Sequence, residues 1–275
     1  MRISIFLLVL ILQSFLGFSQ DSTPVTPEQQ LELRKVTEQN IVLLKNEGDV
    51  VPIQNLDKTK IAFVSTLPSD NPMGKMLDNY AKISHYGPSD IKDPTFPKAL
   101  ASFDEVIFAF QSGKDDTLLP SLLQLNNLII VYFDGPGSNS LKTLTAAKSI
   151  IYAPDSKVLS QEYAAQLIFG GFAARGELDL DIPIGFKKGD GLKTLNQIRF
   201  KYTIPEEVGL DSKYIDTKVD SIMTYAIQNH SFPGATLLVA KDNKVIFNKA
   251  YGYLTYDSVI PVKSDDLYDL ASVTK

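Results

Sequence analysis

The sequence predicts an α/β protein: a three-layer sandwich around a mostly parallel sheet, followed by an incomplete α+β segment. Three observations carry this. Apolar runs at Ile61–Val64, Val106–Phe110, Leu128–Phe133 and Ser149–Tyr152 barely alternate, as strands covered on both faces do. Segments of about 15 to 40 residues separate them, long enough for right-handed crossovers. Beyond a break at residues 186–209, one helix pattern and one hairpin signal remain, and these are too little for a closed core of their own.

The elements follow in order. After a polar lead-in at residues 21–27, a helix is predicted from Glu28 to Lys45, with Leu33, Val36, Ile41 and Leu44 on one face; Gly48 closes it and Pro52 prevents its renewal. The four strand-like runs come next. A helix from Ser160, an N-cap residue type, to Phe169 ends at Gly170-Gly171. Residues 28–185 therefore read as one α/β domain. Residues 186–209 are rich in Gly and Lys, hold no sustained period and read as a linker. Residues 210–275 begin with a helix from Asp211, striped by Ile215, Val219, Ile222 and Ala226. Phe232-Pro233-Gly234 turns the chain. Ala235–Ala240 and Val245–Tyr251 are strand-like runs joined by Lys241-Asp242-Asn243-Lys244, a hairpin signal. The last stretch, Leu267–Lys275, carries no helix-stop signal, so this segment reads as cut short.

Residues 1–19 read as a secretory signal peptide. Arg2 precedes an unbroken apolar run from Ile5 to Leu12, and Gly17 and Ser19 place small residues before a cut ahead of Gln20. A buried helix is the plainer alternative. The run is too short for a membrane span, and none is expected in the mature chain. No cysteine sits near the cut to carry a lipid anchor. The expected location is exported, periplasmic or secreted, in a bacterium.

Composition narrows the chemistry. The net charge of −5 argues against a nucleic-acid partner. With no cysteine there is no disulfide scaffold, thiolate metal site or thiol catalysis. The two histidines, His85 and His230, make a multi-histidine metal centre improbable. Neither a metal nor a cofactor is expected. Hydroxyls, carboxylates and lysines remain.

The sharpest motif is Ser272-Val273-Thr274-Lys275, a Ser-x-x-Lys. On a helix, positions i and i+3 share a face, so hydroxyl and amine can approach. A desolvated lysine loses its proton and helps activate the hydroxyl for acyl transfer. The bare pattern is common: Ser89-Asp90-Ile91-Lys92 repeats it between Pro88 and Pro94, where a helix is disfavoured, and reads as coincidence. Other candidates have bland readings. Asp134-Gly135-Pro136-Gly137-Ser138 follows a strand but lacks the full nucleotide-binding spacing and reads as a tight turn, with a sugar-facing loop as the alternative. Glu177, Asp179 and Asp181 alternate as exposed positions on an edge strand would. His85 reads as a loop or surface residue and His230 as a helix-terminal one. Asp115-Asp116 and Asp265-Asp266 read as solvated turns.

Two resemblances add to this. The helix from Asp211, the stretch Phe232-Pro233-Gly234-Ala235, the hairpin, and Ala271-Ser272-Val273-Thr274-Lys275 are similar, in order and spacing, to the opening of the serine β-lactamase and penicillin-binding family, nearest its class C-like branch. The resemblance implies that Ser272 is the nucleophile and Lys275 its proton partner. The family's later Tyr-x-Asn element and Lys/His-x-Gly strand have no counterpart here, so this chain alone is expected to be inactive. Residues 34–53 (RKVTEQNIVLLKNEGDVVPI) and 161–183 (QEYAAQLIFGGFAARGELDLDIP) resemble the opening and exit of the C-terminal α/β sandwich domain of glycoside hydrolase family 3. That family keeps its aspartate nucleophile on an N-terminal (β/α)₈ barrel of about 250 residues. Here the export signal runs into the sandwich within about ten residues, so no glycosidic nucleophile is expected.

Together these imply an exported hydrolase-family protein, a family 3 and β-lactamase-like fusion fragment, acting on a glycan or peptidoglycan-type small substrate through acyl transfer at Ser272. The alternative is a non-catalytic carbohydrate-binding or interaction module.

Overall fold

The structure, a computed structural model, describes residues 25–274 apart from 69, 93–94, 112–118, 134–143, 145 and 183–184. The export signal, Asp115-Asp116, the Asp134–Ser138 loop and Lys275 lie outside the described residues.

Helix α1 (Pro27–Asn40) starts with a capping box: Gln29 N–H donates to Thr26 Oγ1 (3.2 Å), and Thr26 N–H donates to Gln29 Oε1 (2.9 Å). It ends five residues before the expected Lys45. Ile41, Val42, Leu43 and Leu44 are all buried. A helix would turn part of such a run toward water, whereas a strand covered on both faces buries every residue. Strand β1 (Val42–Asn46) is the result.

The other strands of this sheet are β2 (Ile61–Ser65), β3 (Ile83–Tyr86), β4 (Glu105–Gln111), β5 (Leu128–Phe133) and β6 (Ser149–Ala153), in spatial order β1-β6-β5-β4-β2-β3. Only β1 runs antiparallel to its neighbour; the remaining pairs are parallel. The short helices α2 (Pro72–Asp78), α3 (Phe96–Leu100) and α4 (Leu119–Leu122) lie between strands, and α5 (Val158–Ile168) follows β6. Alternate residues of each central strand face opposite cores. Ile107, Ile129 and Val131 pack with Met73, Leu77 and Ile168 on one side; Phe108, Ile130 and Tyr132 pack with Leu100 and Leu122 on the other. Each such buried side chain contributes roughly 1.5–3 kcal/mol. The mostly parallel three-layer sandwich is thus present.

Details differ from the sequence reading. Helix α5 begins at Val158, and Ser160 is not its cap. Asp155 Oδ1 instead accepts from Lys157 N–H (3.0 Å) and Ser160 Oγ (2.6 Å), so the hydroxyl is drawn into the first turn. Among the described residues no strand lies between Ile168 and Phe200. Leu178 instead pairs with residues 189–190, Leu178 N–H donating to Asp190 O (2.9 Å) and Gly189 N–H to Leu178 O (2.8 Å). Leu178 and Ile182 point inward; Glu177, Asp179 and Asp181 are exposed.

Residues 186–209 are no free linker. Leu192 N–H donates to Leu43 O (2.7 Å), Arg175 donates to the carbonyls of Thr194 and Leu195, and Ile198 and Arg199 N–H both donate to Gly170 O. Much of the segment is exposed, and backbone and guanidinium hydrogen bonds rather than an apolar stripe hold it. Strand β7 (Lys201–Tyr202) then joins a second sheet of order β7-β9-β8, built on the hairpin β8 (Gly234–Lys241) and β9 (Lys244–Gly252). The two-residue turn holds Asp242 and Asn243 at φ 52° and 59°, as a type I′ turn requires. Helix α6 (Ser212–Gln228) is capped by Asp211, whose carboxylate accepts from Tyr214 N–H (2.7 Å). It buries no residue fully; Ile222 and Tyr225 are 65% and 69% exposed. An α/β sandwich followed by an α+β segment is the architecture.

Candidate active site

Ser272 sits on a 3₁₀ turn, Ala271–Thr274, rather than on a full helix. Asp269 starts the turn, its carboxylate accepting from Ala271 N–H (2.9 Å), and Val273 N–H donates to Leu270 O (2.8 Å). Ala271 has a positive φ of 43°, a region an alanine occupies at a cost. The approach to this turn is tied to strand β8 by polar contacts: Thr236 Oγ1 lies 3.3 Å from Lys263 O and 3.2 Å from Tyr268 Oη. Ser272 is exposed, as are its neighbours Leu270 and Val273. Among the described residues nothing hydrogen-bonds its side chain. Lys275 lies outside the described residues.

A polar group that the sequence reading missed lies between α6 and β9. Lys249 Nζ and Tyr251 Oη both donate to Asp220, at 2.7 and 2.6 Å to Oδ1. These two bonds hold the Asp220 carboxyl below its ordinary range. Burial, then the hydrogen bond to Asp220 and its charge, pushes the Tyr251 phenol up. Lys249 and Tyr251 share a strand face by i, i+2 alternation, which is the signal in the sequence; nothing in Asp220 itself announces its partners.

The remaining candidates separate. His85 lies on strand β3, hydrogen-bonded to Asp78 Oδ1 (2.7 Å) and edge-on to Phe63 (5.7 Å). His230 follows α6 at φ 56° and stacks on Tyr256 (5.4 Å). Asp266 accepts from Lys263 N–H in a local turn (2.7 Å). Asp90–Lys92 is a short 3₁₀ turn. Among the described residues no three His, Asp or Glu side chains gather as a metal site would need, and no helix is long and apolar enough to cross a membrane.

The beta-lactamase family model matches residues 212–275, from the start of α6 through Ser272 to the last residue. Protein flp of Staphylococcus aureus (strain NCTC 8325 / PS 47) is 36% identical over 58 residues, which is 21% of this chain and 12% of that protein. Esterase EstB of Burkholderia gladioli is 28% identical over 71 residues, 26% of this chain and 18% of that protein. The aligned part is thus under a fifth of the length of either relative. Among solved structures, a glycoside hydrolase family 3 beta-N-acetylglucosaminidase from Paenibacillus sp. str. FPU-7 is similar at 19% identity with a TM-score of 0.43, covering 58% of this chain and 34% of that one. A beta-glucosidase from Listeria innocua is similar at 16% identity and 0.46, covering 58% and 28%. Likeness at this level concerns the fold alone. The family match is thus confined to residues 212–275, which resemble the beta-lactamase family.

Proposed function

We propose that residues 210–275 supply the nucleophile-bearing opening of a serine acyl-transfer site in an exported bacterial protein. Ser272 Oγ attacks an acyl carbon while the neutral Lys275 amine takes its proton; the acyl–oxygen bond to the serine forms as the bond to the leaving group breaks. The substrate class is a small glycan or peptidoglycan-type acyl compound. The observation that carries this reading is the beta-lactamase family match over residues 212–275, a range that includes Ala271-Ser272-Val273-Thr274-Lys275. The exposure of Ser272 supports it, because a nucleophile must be reachable. Acyl transfer needs preorganised groups beyond one hydroxyl and one amine, so residues 1–275 alone are proposed to be inactive.

Fluorescent penicillin and a fluorophosphonate test this. The chain as it stands should take up neither. A longer polypeptide that continues past Lys275 through a Tyr-x-Asn element should be labelled at Ser272, lose the label in S272A, and label slowly in K275A. A folded longer polypeptide that stays unlabelled would overturn the assignment.

A further inference from the structure

The chain passes from β2 outward to β3 and then to β4 on the other side of β2, so strand order reverses at β2. Open α/β sheets bind ligands outside the carboxyl ends of their strands at such a reversal. A cavity of about 230 Å³ opens at the carboxyl ends of β2 and β3, lined by Ser65, the last residue of β2, and by His85 and Tyr86, the last two of β3. It is smaller than a drug-sized site, so it suits a ligand of only a few heavy atoms. Phe63 pairs with His85 in the β2–β3 register and Ser65 follows Phe63 by two, so these three side chains share one face of the sheet.

Two polar groups of the lining have unspent hydrogen-bonding capacity. Ser65 is 2% exposed. Its Oγ accepts from Leu67 N–H (3.0 Å), and its own O–H meets no acceptor among the described residues. His85 Nε2 lies 2.7 Å from Asp78 Oδ1. An ionised carboxylate only accepts, so Nε2 carries the proton and the neutral ring keeps a lone pair at Nδ1. Nδ1 has no partner among the described residues either. The neighbour on α2 is a glycine, Gly74, where a Cβ would come 3.3 Å from Nδ1. Phe63 and Leu67 add apolar lining. No lysine or arginine lines the cavity, which disfavours a multiply charged anion. Of the other charges nearby, Asp90 already accepts from Gly87 N–H (2.8 Å), and Lys75 of α2 is paired with Asp70 (2.7 Å). A carboxylic acid meets both unspent groups at once. Its proton passes to Nδ1, the imidazolium that forms lies between Asp78 and the new carboxylate, and the second carboxylate oxygen accepts from Ser65 O–H.

We propose that this cavity binds a short-chain monocarboxylic acid through Ser65 and the Asp78–His85 pair. It shares no residue with the turn that carries Ser272. Titration of the full chain with sodium butyrate, at neutral pH and constant ionic strength, tests this, with 1-butanol and inorganic phosphate as comparison probes. The chain has two histidines, so the ring Cε1–H proton signals report directly. That of His85 should shift and saturate; that of His230, stacked on Tyr256 and outside the cavity, should not. Ser65→Ala deletes the hydroxyl with little change in volume and should weaken binding severalfold. Asp78→Asn, at a half-exposed position, removes the charge behind the imidazolium and should weaken it about tenfold. The proposal is overturned if butyrate does not saturate the His85 signal, if Ser65→Ala and Asp78→Asn both bind as the parent does, or if 1-butanol or phosphate binds as tightly as butyrate. None of these outcomes bears on labelling at Ser272.

Discussion

Lys201 Nζ lies 2.8 Å from Glu207 Oε1, and this pair sits where the two parts of the molecule meet. The lysine side chain is only 5% exposed, and Glu38 of α1 holds its other side. Thr203 Oγ1 donates to Glu207 Oε2 (2.5 Å), and Lys244 of β9 stands 3.9 Å away. One cation therefore ties the first helix of the sandwich to the short helical turn ahead of α6.

Removing that cation strands two carboxylates. Lys201→Met should cost about 3–5 kcal/mol, the scale for breaking one partner out of a buried ion pair. The triple change E38Q/K201M/E207Q should recover most of it, and urea unfolding of both variants checks this. The deficit has a pH signature. Burial pushes Glu207 up, but hydrogen bonds from Lys201 and Thr203 outweigh it and hold the carboxyl below its ordinary value. Its stabilisation is present above the unfolded carboxylate pKa and fades as pH falls through the depressed one. For Lys201, burial acts downward while Tyr163, Glu207 and Glu38 raise the pKa; its stabilisation is full below the unfolded lysine value and fades as pH rises through the raised one. The penalty of Lys201→Met should therefore be largest near neutrality and shrink at both extremes.

Glu105 behaves oppositely. At the start of β4, burial pushes its carboxyl up to about 7, only partly offset by Lys148. Its Oε2 is buried with no hydrogen-bond partner among the described residues. The folded chain favours the neutral acid, so this residue supports folding at low pH and loses that support as pH rises from the unfolded carboxylate value through about 7. E105Q should be more stable than the parent at pH 8 by about 1 kcal/mol, the scale of an unpartnered buried polar atom, and close to it at pH 4. Thermal melts at both pH values decide this.

Two glycines separate backbone strain from crowding. Gly170 has φ +71°, and a Cβ there would lie 2.6 Å from Ile198 Cγ1 and 3.0 Å from Pro52 Cβ. Gly48 has the same φ with nothing within 4 Å. Gly48→Ala should cost about 1–2 kcal/mol for the left-handed backbone alone. Gly170→Ala should add an overpacking cost of about 1–3 kcal/mol. Equal losses in the two variants would mean that residues around Ile198 yield freely.

The parts of the fold legible in the sequence are those where a local pattern has one solution. Leu128–Phe133 is an apolar run that only a covered strand satisfies, and Asp211 and Asp242-Asn243 announce a cap and a turn by side-chain chemistry. Ile41–Leu44 misled because a four-residue apolar run can extend a helical stripe as well as form a strand; burial on both faces decided it. Ile83–Tyr86, an edge strand with mixed residues, carries no pattern at all. Residues 186–209 are ordered through backbone bonds that no periodicity records. In the candidate site, Ser272 was legible as a motif and as a resemblance. The Asp220, Lys249 and Tyr251 group was not, because its members come from separate elements and meet only after α6 packs across the hairpin.

The parallel pairing of β7 with β9 means that the second sheet starts in chain that reads, by composition, as belonging to neither part. A fragment beginning at Leu210 would leave behind the strand that flanks its hairpin, together with the lysine that anchors it. One starting a dozen or so residues earlier would take both along. The seam of the molecule, in this sense, runs upstream of the place where the family likeness begins.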